Sequence, residues 1–110
     1  MSLRLELERH AEEDLTERAA YIARENPAAA QAFLDAVERA FTRLADMPEI
    51  GSPRAFQHPR LAGIRMWPVP EYPSYLIFYR VAGDVLQVLR ILRAAQDYTR
   101  FFREDDEGEG

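Results

Sequence analysis

Four arginines in the C-terminal half, Arg65, Arg80, Arg90 and Arg93, are the residues whose type and placement best suit chemistry. A guanidinium stays charged and offers a planar fork of donors. Such a set suits gripping carboxylates or phosphates and stabilising a charged transition state, and serves poorly as a general base. The competing use is internal, by pairing with Glu71, Asp84, Asp97 or an acid on a helix. His10 and His58 are the only imidazoles. His10 precedes a helix, where capping or exposure is expected, and His58 lies in a loop, where hydration is expected. Tyr72, Tyr75, Tyr79 and Tyr98 read first as sheet packing with wet hydroxyls and second as a recognition surface. The sequence contains no cysteine, which excludes disulfides, thiol catalysis and thiolate metal sites. It also lacks a Gly-rich phosphate loop, a nucleophile elbow, a zinc-binding histidine pair and a Ser-His-Asp set, so neither a metal nor a cofactor is expected.

The elements that must position these residues follow from periodicity. Leu3, Leu5 and Leu7 alternate with polar residues, the pattern of a strand with one buried face. Ala11, Leu15, Ala19 and Ile22 recur at helical spacing to about Glu25, with Glu12, Glu13 and Asp14 complementing the positive end of the helix dipole. Asn26-Pro27 is a stop and a restart, because asparagine caps helices and proline fits the first turn. A second helix carries the stripe Phe33, Val37, Ala40, Phe41 and Leu44 and ends at Met47-Pro48. Residues 48–61, rich in proline, read as a crossover loop. Ile64 to Val69 is strand-like, a turn follows at Pro70 to Pro73, and Tyr75 to Val81 is apolar on nearly both faces, as expected of a central strand. Ala82-Gly83-Asp84 makes a hairpin turn into a last strand, Val85 to Leu92. Ala94 to Phe102 suits a turn of helix whose Phe101 and Phe102 need cover. The order is β-α-α-β-β-β, an α+β fold with a helical hairpin packed on a small, mainly antiparallel sheet.

Length and charge bound the function. A chain of 110 residues with 47% hydrophobic residues suits one domain, here residues 1–103, able to fold without covalent staples. Residues 104–110 hold five acids and no base, and read as an acidic, disordered tail. The net charge of -5 is therefore a tail property, since residues 1–103 balance at 14 arginines against 14 acids. No lysine is present. No run approaches the roughly 20 apolar residues needed to span a bilayer, so no membrane partner and a cytoplasmic location are expected.

In order along the chain stand Met47-Pro48, Glu49-Ile50-Gly51-Ser52-Pro53-Arg54, Gly63-Ile64-Arg65, Tyr75 to Val81, Leu89-Arg90-Ile91-Leu92-Arg93 and Asp97. This set resembles the ParE branch of the RelE/ParE toxin superfamily over about residues 3–98. The resemblance implies the β-α-α-β-β-β fold and the toxin of a type II toxin–antitoxin, plasmid-stabilisation type system. A ParD-like antitoxin would wrap the toxin in a hetero-oligomer and repress the shared operon, so that the toxin meets operator DNA only through its antitoxin. ParE-type toxins poison DNA gyrase, whereas RelE-type relatives cleave mRNA on the ribosome. An acidic chain without lysine is poorly matched to ribosomal RNA, which favours the non-enzymatic gyrase reading. In it Arg65, Arg90, Arg93, Asp97 and Tyr98 face the target. In the nuclease alternative Arg65 and Arg93 hold the scissile phosphate, and Asp97 or Tyr98 assists proton transfer. A third reading is an attenuated antitoxin-binding module. Where ParE-like chains commonly end the last strand with His-Gly-Ala-Arg-Asp, this one has Arg93-Ala94-Ala95-Gln96-Asp97, keeping the Asp and a small residue. A hairpin over a small sheet leaves an apolar groove and a sheet edge for an amphipathic helix and an added strand. The antitoxin contacts expected there are Trp67, Tyr72, Tyr75, Phe101 and Phe102. The target-binding reading requires the rim arginines to be available rather than held in internal pairs.

Overall fold

Two adjacent residues, Asn26 and Pro27, set the helical hairpin between α1 (Arg9–Ala23) and α2 (Pro27–Asp46). The Asn26 side chain accepts the Ala29 N–H at 3.0 Å, and Pro27 sits in the first turn, where its missing N–H costs nothing. The computed structural model describes residues 2–56, 58–95 and 101–102. The strands among them are β1 (Arg4–Leu7), β2 (Ser52–Pro53), β3 (Arg65–Val69), β4 (Tyr72–Ala82) and β5 (Val85–Arg93). They form one sheet in the order β1-β5-β4-β3-β2, with β1 parallel to β5 and every other pair antiparallel.

β4 organises the packing because its successive side chains enter opposite faces. Ile77 and Tyr79 join the main core, which α2 covers with Phe33, Ala36, Val37, Ala40, Phe41 and Leu44. Leu76 and Phe78 enter a second cluster with Ile64, Leu92 and Phe102, flanked by Phe56 and Leu61 from the crossover segment. This explains the run that is apolar on both faces: both sides of β4 are covered. Each fully buried large side chain here contributes about 1.5–3 kcal/mol relative to exposure.

Four sequence expectations are corrected. The crossover is not wholly irregular. It contains short 3-10 turns at Pro48–Ile50 and Pro59–Leu61, and its two-residue strand β2 pairs with β3, so the sheet has five strands rather than four. The turn expected over Pro70 to Pro73 is tighter, at Pro70–Glu71, and β4 starts at Tyr72; the irregular register after Pro68 absorbs the extra residues on β4. The first strand does not bury one whole face, because β1 is the outermost strand: Leu3 and Leu7 pack on the core, while Leu5 stays 41% exposed. Of the α1 stripe only Ala11 is buried, with Leu15 and Ile22 packed at the margin of the core, since α2 takes the centre of the sheet. Gly83, at φ +60°, opens the two-residue β4–β5 turn with the positive φ that such hairpins need.

Candidate functional site

β1 pairs with β5 only at residues 85–88, so the remainder of β5 presents an outer edge with no strand beside it among the described residues. α1 closes that edge with a single side chain. Asp14 accepts the Ile91 backbone N–H at 2.9 Å, as a neighbouring strand would. It also takes both arms of Arg90, Nε at 2.9 Å and a terminal nitrogen at 3.0 Å. The pair is largely out of solvent, with side chains 11% and 14% exposed for Arg90 and Asp14. Charge-assisted bidentate contacts of this kind are the strong ones.

Outside this knot, α1 and the ends of β4 and β5 enclose a groove of about 670 Å³. Asp14, Glu17, Arg18 and Tyr21 line it from α1, with Arg24 just past the helix end, and Tyr75, Arg90, Arg93 and Phe101 from the other side. Tyr21 is 57% exposed. The Arg18 guanidinium lies 5.0 Å from the Tyr21 ring and 5.6 Å from that of Tyr75, and Arg24 lies 5.4 Å from Tyr21. Arg90 lies 5.0 Å from Phe101. The groove thus presents guanidinium groups stacked on aromatic faces, an arrangement that leaves their N–H edges for anions.

A second node joins the crossover to the sheet. Tyr79 is fully buried, its hydroxyl accepting the Gly51 N–H at 2.9 Å and donating to the Pro48 carbonyl at 2.6 Å. Arg65 donates to the carbonyls of Gly51 at 2.7 Å and Glu49 at 3.2 Å. Burial pushes the Tyr79 hydroxyl above its ordinary pKa of 10.0, against smaller downward pulls from the Gly51 N–H and Arg65. The folded state therefore holds the phenolic proton more tightly than the unfolded chain. The resulting stability is complete below pH about 10 and is lost as pH rises through the raised folded value. Urea midpoints are expected to fall above pH about 10. Tyr79→Phe, less stable at neutral pH, is expected to lose less over the same interval; parallel pH profiles for the two proteins would contradict this.

Three of the four rim arginines make contacts within the fold, the internal use that their type also suits. Arg65 is spent on crossover carbonyls, Arg90 on Asp14, and Arg80 on the side chain of Gln87 and the carbonyl of Arg60. Arg93 is exposed at the groove. Asp97 and Tyr98 lie outside the described residues. Glu71 and Asp84, expected as partners of rim arginines, pair instead with Arg39 at 2.6 Å and Arg4 at 3.7 Å. Tyr79 does not carry the wet hydroxyl expected of it, because the 48–51 segment covers it. Tyr72 and Tyr75 meet Phe33 edge-on, with ring centres 5.3 and 5.0 Å away. Trp67 is half-buried at the main core, and Phe101 is half-buried. Phe102, expected as an antitoxin contact, is instead an internal residue, 2% exposed between Phe56 and Phe78. His10 lies 3.3 Å from Glu13, and His58 caps the Arg60 N–H at 3.1 Å. No metal-binding cluster of His, Cys, Asp or Glu occurs among the described residues. The sequence reading missed Arg18, Tyr21 and Arg24, whose signal was an exposed tyrosine with arginines three positions either side, on one helix face.

The fold has relatives of known structure. A chain of the chromosomal ParDE toxin–antitoxin system from P. aeruginosa superposes with a TM-score of 0.66 at 24% identity, over 84% of this chain and 96% of that one. A chain of the RelBE2 toxin–antitoxin complex from Mycobacterium tuberculosis does so with a TM-score of 0.58 at 22% identity, over 84% and 99%. These likenesses speak for the fold. No curated protein matches the sequence. The family model for the ParE toxin of the type II toxin–antitoxin system, parDE, matches residues 5–98. With that match spanning both helices and every strand from β2 onward, the chain belongs to the ParE toxin family of type II toxin–antitoxin systems.

Proposed function

We propose that this ParE-family toxin acts by docking on DNA gyrase, makes no bond itself, and is neutralised by a ParD-like antitoxin. The observation that carries the choice over RNA cleavage is the internal use of Arg65. A nuclease reading needs its guanidinium on a scissile phosphate, yet two of its donor contacts hold the crossover to the sheet. The missing lysines and the net charge of -5 favour a protein target for the same reason, since phosphate neutralisation by basic side chains dominates RNA affinity. The target-facing surface in this reading is the end of β5, where Arg93 leads into Asp97 and Tyr98, with Arg65 and Arg90 holding the fold behind it. Trp67, Tyr72, Tyr75 and Phe101 retain exposed area and serve the antitoxin. Capture of the antitoxin would hold the toxin in a hetero-oligomer in the cytoplasm and bring it to operator DNA indirectly.

Inducible expression in a bacterial host tests this. Growth arrest with a DNA-damage response and intact mRNA is expected, relieved by co-expression of the product of the adjacent upstream gene. Rapid mRNA cleavage without DNA damage would establish the nuclease alternative instead. Unimpaired growth with folded protein present would leave an antitoxin-binding module without toxicity.

A further inference from the structure

β1 is the outermost strand of the sheet, and its hydrogen bonds fix which of its sides is free. The N–H groups of Arg4 and Glu8 donate to the carbonyls of Asp84 and Val88, so Arg4, Glu6 and Glu8 turn their backbone polar groups toward β5. By alternation those of Leu5 and Leu7 point the other way. α2 reaches this outer side at its end, where the Ala45 carbonyl accepts the Leu3 N–H at 2.9 Å. Beyond that point the edge lies open. Arg4, Leu5 and Glu6 are all exposed, and Leu5 is one of the few large hydrophobic side chains that the fold leaves in solvent. A row of unpaired N–H and C=O groups of this kind is a template for another strand.

We propose that this edge pairs with the same edge of a second copy, antiparallel and centred on Leu5, so that the two five-stranded sheets become continuous. The charges select that register. About a twofold axis at Leu5, each Leu5 meets its counterpart and exchanges two backbone hydrogen bonds, while Arg4 of either copy stands opposite Glu6 of the other. Those flanking pairs are of the non-hydrogen-bonded kind, in which facing side chains come closest. Both charges are available for it. Glu6 makes no ion pair among the described residues, and Arg4 reaches Asp84 at 3.7 Å with both side chains well exposed, a weak contact. The neighbouring registers are worse. An axis at Arg4 or Glu6 sets like charge against like, one at Leu7 sets Glu6 against Glu8, and one at Leu3 meets an N–H already given to Ala45. On the other face the two Leu5 side chains cover each other and Leu3 faces Leu7 of the second copy, extending a leucine row that already borders the main core. The contact is small, which places the dimer in the weak, concentration-dependent class. Self-association of this kind is independent of the gyrase reading.

The absence of cysteine makes a clean test available. In Leu5→Cys the introduced thiol is the only one, and facing residues of a hydrogen-bonded antiparallel pair hold their Cα atoms about 5.5 Å apart, within the span that a disulfide bridges. Mild oxidation of the purified, full-length toxin is expected to link Leu5→Cys into dimers several-fold faster than Glu25→Cys, an exposed position at the helix-hairpin turn. Adding Arg4→Glu to Leu5→Cys should remove that advantage by setting acid against acid, and adding Glu6→Arg should do so by setting base against base. Arg4→Glu and Glu6→Arg together should restore it, since the exchange keeps each pair opposite in sign. Equal linking rates for Leu5→Cys and Glu25→Cys would overturn the proposal, as would charge reversals that fail to recover when combined. A second measurement needs no substitution: the Leu5 and Leu7 amide resonances of the isotope-labelled toxin are expected to shift with protein concentration. Resonances that stay constant on concentration, or that move only when antitoxin is added, would contradict pairing with a second copy.

Discussion

Asp14→Ala is expected to cost about 3–5 kcal/mol, the range for breaking a buried ion pair from one side. The carboxylate satisfies three donors at once, two on Arg90 and the backbone N–H of Ile91. Removing it takes the Asp14 carboxylate from a guanidinium that is 11% exposed and reopens the edge of β5 beyond Val88. Against a typical total of about 5–15 kcal/mol, such a loss puts the protein near its unfolding threshold. Replacing both partners, as in Asp14→Leu/Arg90→Met, should recover a large part of it, because the stranded charge goes with the carboxylate while only the Ile91 N–H stays unmet. Equilibrium urea unfolding of the two single variants and the double reads the coupling directly. A loss under about 1 kcal/mol for Asp14→Ala would show the pair to behave as an exposed one. Phe101 rests on Arg90 at the groove, so the same substitution is expected to disturb the groove's far wall.

Gly51→Ala is the second substitution with a large expected effect. Gly51 has an ordinary extended backbone, φ -72°, so its need for glycine is one of space. A Cβ there would stand 2.3 Å from the Tyr79 hydroxyl oxygen and 2.8 Å from two ring carbons. The ring is fully buried in the main core and has no room to retreat, so the 48–51 segment must move. That motion breaks the Tyr79 contacts to Gly51 and Pro48 and pulls the carbonyls away from Arg65. Overpacking costs about 1–3 kcal/mol, and buried polar groups left unmet add about 1–3 kcal/mol. Tyr79→Phe removes the atom of closest approach, so the double variant is expected to be more stable than the sum of the two single effects. Thermal or urea unfolding measures this, and strict additivity would mean that the close contact does not govern the cost.

These two sites also show where the sequence was legible. The helix hairpin could be read because its signals are local: a cap and proline at Asn26-Pro27, and a stripe at helical spacing that α2 buries as expected. β4 and β5 could be read because a long apolar run and a glycine turn leave few alternatives. β2 could not, since two residues carry no period and their strand character exists only through pairing with β3. Asp14 reads in sequence as a helix-dipole charge, yet its partners are 76 and 77 positions away. Gly51 looks like loop punctuation, and its meaning lies in a tyrosine 28 positions on. Arg65 and Arg90 were correctly placed on the sheet, but a guanidinium on a rim reaches inward as readily as outward, and only the fold decides which carbonyl or carboxylate it meets. Arg18 and Arg24 did not stand out in sequence, because it takes the ends of β4 and β5 to make their side of the molecule one wall of a groove.

The claim on which the functional reading depends is that the folded toxin acts on gyrase through a docking surface. Purified gyrase acting on relaxed plasmid, with toxin released from its antitoxin and shown to be folded, tests it most directly. The predicted result is loss of supercoiling with accumulation of cleaved DNA, both prevented by adding the antitoxin back. Full supercoiling at a large molar excess of the folded toxin would contradict it.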